Sequence, residues 1–236
     1  PGGSIETAWY LADGRIEAGS PGGGAARSVR EPGLQPVPAH GPAGVAWSRT
    51  GAWLAVADGV NGARVLRGDP LERVARLPLP GAMGVRFSPD GESLLVTRPQ
   101  LPPVLWWFRE GRTAELNPGG STGLVGEFSR DGRWLALGNP DGGAVVFDAR
   151  RGERRVAWNA RSGGLTALAF SPDATRLVGA GRDGWVSFWD LETGRELGAL
   201  KLHGQPVAAL AFGRDGRFLT LGLDEARWWP ARDPGP

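Results

Sequence analysis

Apolar residues in this chain fall in short runs, not in helical stripes. Runs such as LTALAF (165–170) and VAALAF (207–212) end on an aromatic residue. A polar turn follows, then a second apolar run, as in RWLALG (133–138), TRLVGAG (175–181) and RFLTLG (217–222). NPDGG (139–143) or GRDG (181–184) breaks that run, and a third begins, AVVFD (144–148) or WVSFWD (185–190). DARRG (148–152) or DLETG (190–194) then leads into a fourth run. Runs of four to eight residues bounded by Gly, Pro, Asn and Asp are strand signals, and no 3.6-residue period competes with them.

The pattern repeats. The copies begin Tyr10-LADG, Trp47-SRTG, Phe87-SPDG, Phe128-SRDG, Phe170-SPDA and Phe212-GRDG, at steps of 37, 40, 41, 42 and 42 residues. Seven residues after the aromatic stands a Leu in five copies: Leu54, Leu94, Leu135, Leu177 and Leu219. Within each turn Pro presets φ, Asp bonds its own backbone and Gly accepts positive φ. Four short strands per roughly 41 residues make one antiparallel meander. A meander that is apolar on both faces is stable only when stacked between neighbours. The expected fold is all-β. It is a β-propeller of about six four-stranded blades within one domain, 1–236, with inner strands ending at the six aromatics. No fourth strand is visible after EARWWPAR (225–232), so the last blade is expected to be incomplete. A missing upstream segment would make the count seven.

At these residues the chain resembles the WD-repeat β-propeller family, in a bacterial-type form with degenerate repeats. The resemblance rests on Phe188-Trp189-Asp190 after GRDG, on Phe147-Asp148 after NPDGG, and on His203-Gly204 nine residues before Phe212. The family ties its strands with a hydrogen-bonded Trp, Ser/Thr, His and Asp set. Asp141 and Asp183 match the Asp, and Trp106 and Trp189 match the Trp. The Ser/Thr position reads Val56, Val96, Leu137, Gly179 and Leu221, so no blade is expected to hold the whole set. The resemblance makes His203 a structural hydrogen-bond donor. It implies a non-enzymatic scaffold that binds a protein partner on the inter-blade-loop face. On that face the sequence places Arg161, Arg182, His203, Gln205, Asn61 and Gln100.

Composition narrows the chemistry. With no Cys there is no disulfide, thiolate metal site or Cys nucleophile. Two His residues, His40 and His203, supply no metal cluster, so no cofactor is expected. Gly and Pro number 39 and 20, a level that raises disorder, but 11 Trp argue for packed strands. The net charge is +2, spread evenly, and nucleic-acid binding is not implied by bulk charge. No apolar run approaches the roughly 20 residues of a membrane-spanning helix. The turn aspartates are explained by local backbone bonds. Gly-rich GSPGGGA (19–25) lacks the strand–loop–helix context of a phosphate loop. Trp106-Trp107 and Trp228-Trp229 alternate across third strands and are expected in the core.

Three alternatives stay open. Arg130, Arg133, Arg150, Arg151, Arg154 and Arg155 fall in two turns of one blade and could form a basic patch for nucleic acid. A catalytic or small-molecule site in the central channel would need polar groups on inner strands, and only Arg86 and Glu127 supply them. Each stands one residue before its aromatic, so an ion pair near the channel wall is the simpler expectation. The open last blade invites self-association.

Overall fold

A computed structural model describes residues 7–10, 15–19, 27–30, 44–68, 71–120, 125–159, 163–223 and 225–230. Every regular element among them is a strand, grouped in six sheets. The first sheet is Thr7–Tyr10 (β1), Arg15–Gly19 (β2) and Arg27–Arg30 (β3). The second is Gly44–Trp47 (β4), Leu54–Ala57 (β5), Ala63–Arg67 (β6) and Glu72–Leu77 (β7). The third is Gly84–Phe87 (β8), Leu94–Arg98 (β9), Leu101–Trp107 (β10) and Arg112–Glu115 (β11). The fourth is Val125–Phe128 (β12), Trp134–Gly138 (β13), Gly143–Asp148 (β14) and Arg154–Asn159 (β15). The fifth is Leu165–Phe170 (β16), Arg176–Gly181 (β17), Trp185–Asp190 (β18) and Glu196–Lys201 (β19). The sixth is Val207–Phe212 (β20), Phe218–Gly222 (β21) and Ala226–Trp229 (β22). Each sheet is an antiparallel meander in chain order, the blade form of a propeller, and β1, β4, β8, β12, β16 and β20 end on the six aromatics. The last sheet has three strands among the described residues. Residues 1–4 and 233–236, the two stretches that could supply a fourth strand, lie outside them.

The chain divides into two compact units, residues 1–115 and 116–236. In the first, β5 sends alternate residues to opposite faces. Leu54 and Val56 join Leu66, while Ala55 and Ala57 join Phe87, Leu94, Trp106 and Phe108 of the third sheet. Both faces are buried, so the strand reads as one apolar run. The second unit repeats the scheme. Trp134, Ala136, Ala144 and Val146 of the fourth sheet meet Leu165, Leu168, Phe170, Leu177 and Trp189 of the fifth. Ala167, Val178, Ala180, Val186 and Phe188 of the fifth meet Val207, Leu210, Phe212, Phe218 and Trp229 of the sixth. One face of each pair is rich in Ala and Val, and the other carries the aromatic and Leu residues. Each large buried side chain contributes about 1.5–3 kcal/mol.

The first turn is built alike in three copies. Ser129 Oγ accepts from the Trp134 amide at 2.8 Å and donates to Asp131 Oδ1 at 2.6 Å. Ser88 with Asp90 and Ser171 with Asp173 do the same. The closing amide bond joins residues five apart in four copies: Ser48 to Trp53, Ser88 to Ser93, Ser129 to Trp134, and Ser171 to Arg176. In the last copy Gly213 bonds Arg217, four apart. That turn is one residue shorter. Phe128 therefore pairs with Leu135 and Phe170 with Leu177, but Phe212 pairs with Phe218. Leu219 is thus not the counterpart of Leu177, and every residue of β21 sits one place off its expected face.

Candidate interaction surface

At the end of the first unit where second strands turn into third strands, Asp58 organises one loop. Its carboxylate accepts from the Asn61 amide at 2.6 Å and from Asn61 Nδ2 at 3.0 Å. It also pairs with Arg64 Nη2 at 2.6 Å, with both side chains almost wholly buried. Asn61, an expected partner-binding residue, is half-buried and bonded to this clamp. Gln100, another, is exposed at a tight turn with φ of 58°. Arg98 supports that turn, its guanidinium donating twice to the Pro102 carbonyl at 2.6 and 3.0 Å.

The second unit clamps its loops with other residues. Asn139 Oδ1 accepts from the Asp141 and Gly143 amides, and its Nδ2 donates to the Gly119 carbonyl at 2.7 Å. Asp183 accepts from the Gly163 amide at 3.0 Å and from the Trp185 amide at 3.2 Å. The Arg182 amide donates to the Gly164 carbonyl at 3.1 Å. The segment entering the fifth sheet therefore lies against the Arg182 turn. Arg161 itself falls outside the described residues. Arg182 and Gln205 are exposed.

His203 is not a surface residue. It is 3% exposed, and its Nε2 meets Thr220 Oγ1 at 2.6 Å. Trp229 Nε1 donates to the same hydroxyl at 2.8 Å. A hydroxyl offers one hydrogen and two lone pairs, so Thr220 serves both rings. Glu225 Oε1 stands 3.8 Å from His203 Nδ1 and pairs with Arg227. The sixth sheet therefore holds a Trp–Thr–His tie where no such set was expected. The short turn concealed it, since counting from Phe212 lands on Leu221, while counting from Phe218 lands on Thr220.

The opposite end of the fourth sheet gathers the arginines. The Ala149 amide bonds the Arg133 carbonyl at 2.9 Å and Trp134 pairs with Asp148, so the two Arg-bearing turns are adjacent. Arg130, Arg133, Arg150, Arg151, Arg154 and Arg155 are all exposed. Asp148 Oδ1 is taken up by the Arg150 and Arg151 amides, and Arg133 stacks over Trp134 at 4.5 Å. Three aspartates titrate below the usual carboxylate range. The Ser171 hydroxyl is the main cause for Asp173, the Thr193 amide for Asp190 and the Arg217 guanidinium for Asp215.

Arg86 lies exposed on β8 of the first unit and Glu127 half-buried on β12 of the second. Trp106 and Trp107 are core residues, at 3% and 4% exposure, whereas Trp228 is 58% exposed. Among the described residues no group of three His, Asp or Glu is placed to hold a metal, and no helix is long and apolar enough to cross a membrane.

Residues 154–190 match the family model described as "WD domain, G-beta repeat". Similar proteins include transducin beta-like protein 3 of Rattus norvegicus, 31% identical over 144 residues, covering 59% of this chain and 18% of that protein. WD repeat-containing protein 55 of Bos taurus is 33% identical over 123 residues, covering 49% and 31%. WD repeat-containing protein SL1-17 of Schistosoma mansoni is 29% identical over 124 residues, covering 52% and 40%. The chain thus spans less than half the length of each of these relatives. They are animal proteins, and they give no support to the bacterial-type qualifier. On the matched residues and these likenesses, the chain carries a WD repeat at 154–190 and its relatives are WD-repeat proteins.

Proposed function

We propose that the chain is a non-enzymatic scaffold that binds a protein partner at the loop ends of its sheets. One observation carries the reading. Asp58, Asn139 and Asp183 each pin a second-to-third-strand turn, and two of them bond the segment entering a sheet, so the loops are held rigid with exposed tips. Preorganised loops bind with less ordering cost. WD-repeat relatives are in general scaffolds of this kind, which supports the same reading. The test is co-purification of a partner with the full chain, followed by Arg182→Glu combined with Gln205→Glu, and separately Arg150→Glu combined with Arg151→Glu. The first double variant is expected to weaken binding about tenfold or more. Loss only in the second would overturn the loop-end reading.

The gathered arginines favour a second reading, nucleic-acid binding through phosphates. It requires affinity for duplex or single-stranded nucleic acid that falls steeply with salt and is lost in the Arg150 and Arg151 variants. We also propose self-association through the last sheet, where Leu221, Leu223 and Trp228 are 43%, 72% and 58% exposed. A monomer by light scattering at all concentrations would end that reading.

A further inference from the structure

The loop between β5 and β6 carries the one Asn-Gly step in the chain, Asn61-Gly62. We propose that Asn61 is a deamidation site gated by the Asp58 clamp. Its carboxamide closes on the Gly62 nitrogen only when the clamp opens, and the carboxylate that results keeps the clamp from closing again. The inference goes beyond partner binding and does not depend on it.

The chemistry selects this asparagine among the four in the chain. Deamidation begins when the backbone nitrogen of the next residue attacks the side-chain Cγ. Asn117 and Asn139 precede Pro, whose nitrogen carries no hydrogen to give up. Asn159 precedes Ala, whose methyl group crowds the attack, whereas Gly62 leaves its nitrogen open to close approach. At Asn61 a bond forms between the Gly62 nitrogen and Cγ. The Cγ–Nδ2 bond breaks, and Nδ2 leaves as ammonia with the Gly62 amide proton. Solvent water then opens the succinimide ring at either carbonyl, giving aspartate or isoaspartate, with no change of oxidation state.

The fold fixes this step in place. Gly62 has φ of 88°, and a side-chain carbon there would strike the Leu77 carbonyl and the Leu79 amide, so glycine is required. The Asp58 amide donates to the Gly62 carbonyl at 3.2 Å and closes the loop. Asn61 is equally committed. Its amide and its Nδ2 donate to the two oxygens of Asp58, at 2.6 and 3.0 Å. A carboxamide tethered to a residue three places back is not free to turn its carbon onto the nitrogen ahead. The attack geometry needs that tether to break. The side chains of Asp58 and Arg64 are only 2% and 4% exposed, so breaking it takes a local unfolding of the loop. The rate then falls with the fraction of time the loop spends open. The product does not fit the clamp. A carboxylate at position 61 replaces the donor that faces Asp58 Oδ2 with a second negative charge, beside a guanidinium already paired with the first. Like charges in a poorly solvated site cost more than the lost bond alone.

The test incubates the full chain in mildly alkaline buffer, native and in unfolding urea, and follows each asparagine-containing peptide by mass spectrometry. Asn61 is expected to deamidate about tenfold or more slowly in the native chain than in urea. Asp58→Asn should bring the native rate to within about threefold of the unfolded one. If that variant does not fold, sub-denaturing urea opens the loop instead, and the wild-type rate should rise before global unfolding. Asn61→Asp, which reproduces the charged product, should lower the denaturant midpoint further than Asn61→Ala. A native rate equal to the unfolded one, or a folded Asp58→Asn with an unchanged rate, means no gate. No product at Asn61 in the native chain long after the unfolded chain has reacted fully means no site. Asn61→Asp no worse than Asn61→Ala means that the charge leaves the clamp shut. Any of these results overturns the inference.

Discussion

The fifth and sixth sheets share the inner-strand sequence Ala-Leu-Ala-Phe, at 167–170 and 209–212, and use it differently. In β16 the four residues are buried on both faces, because the sixth sheet covers one of them. In β20 Ala209 and Ala211 are exposed. The sheets also bind their third strands by opposite means. Trp189 is fully buried, stacked on Trp158 at 5.4 Å, with its ring against Gly179. Trp229 is half-buried and fastened by Thr220 to His203. Gly179 and Thr220 occupy equivalent places, two residues beyond the partner of the inner-strand aromatic. One sheet fills the place with a Trp ring, and the other bridges it with a hydroxyl. The lesson is that a polar tie is dispensable where a large ring is enclosed on all sides, and useful where one side is open.

Thr220→Val gives the largest expected effect. It keeps the shape but strands His203 Nε2 and Trp229 Nε1, so a loss of about 3 kcal/mol is expected by denaturant unfolding of the full chain. A loss under about 0.5 kcal/mol would show that the tie contributes nothing, since surface substitutions alone reach that size. Gly179→Ala comes next. The added carbon would lie 2.7 Å from Trp189 Cη2 and Cζ3, and a destabilisation of about 2 kcal/mol is expected from overpacking. If Gly179→Thr were instead neutral or stabilising, the two sheets would be interchangeable and the contrast would fail.

The six strand-ending aromatics and the meander order were legible because turn chemistry and aromatic spacing are local signals. The faces of β21 were not. Period-two alternation makes a one-residue change in the preceding turn invert every assignment that follows. Phe212-GRDGR-Phe218 has five residues between the aromatic and its cross-strand partner where Phe170-SPDATR-Leu177 has six, and a fixed count of seven passes over the difference. The buried Asp58–Arg64 pair was hidden for another reason. Arg64 lies in a third strand opposite Val56, a position where pattern alone predicts an apolar residue. Of the candidate surface residues, Arg182, Gln205 and Gln100 are exposed, because turns face solvent. His203 is drawn inward by Thr220, a partner that the misread register had hidden.

That account of register can itself be tested by a smaller effect. Inserting one residue between Gly216 and Arg217 gives the last turn the length of the others. Phe218 then keeps its pairing with Phe212, and stability should change by less than about 1 kcal/mol, as for other tolerated loop insertions. A loss of the size expected for Thr220→Val would mean that the short turn itself holds the tie in place. The smallest contrast is electrostatic. Asp173 owes its lowered pKa first to a serine hydroxyl, and Asp215 owes its own first to an arginine. High salt screens exposed charges, so the Asp215 value should rise further than the Asp173 value in an NMR titration. In both sheets the sign is the same. A depressed carboxyl favours the fold above the unfolded-state pKa, and that support fades as pH falls through the folded value.

The matched repeat begins on β15, the outer strand of the fourth sheet, and ends on β18, the third strand of the fifth. Its two boundaries fall in equivalent hairpins, DARRG and DLETG. A gene that gains or loses one such unit therefore splices within a sheet, at a solvent-facing turn, and not between sheets where aromatic rings are enclosed. Deleting the unit would join β14 to β19 and leave a four-stranded sheet intact at the seam. The stagger lets recombination change the number of blades without ever producing a raw, half-built one at the joint.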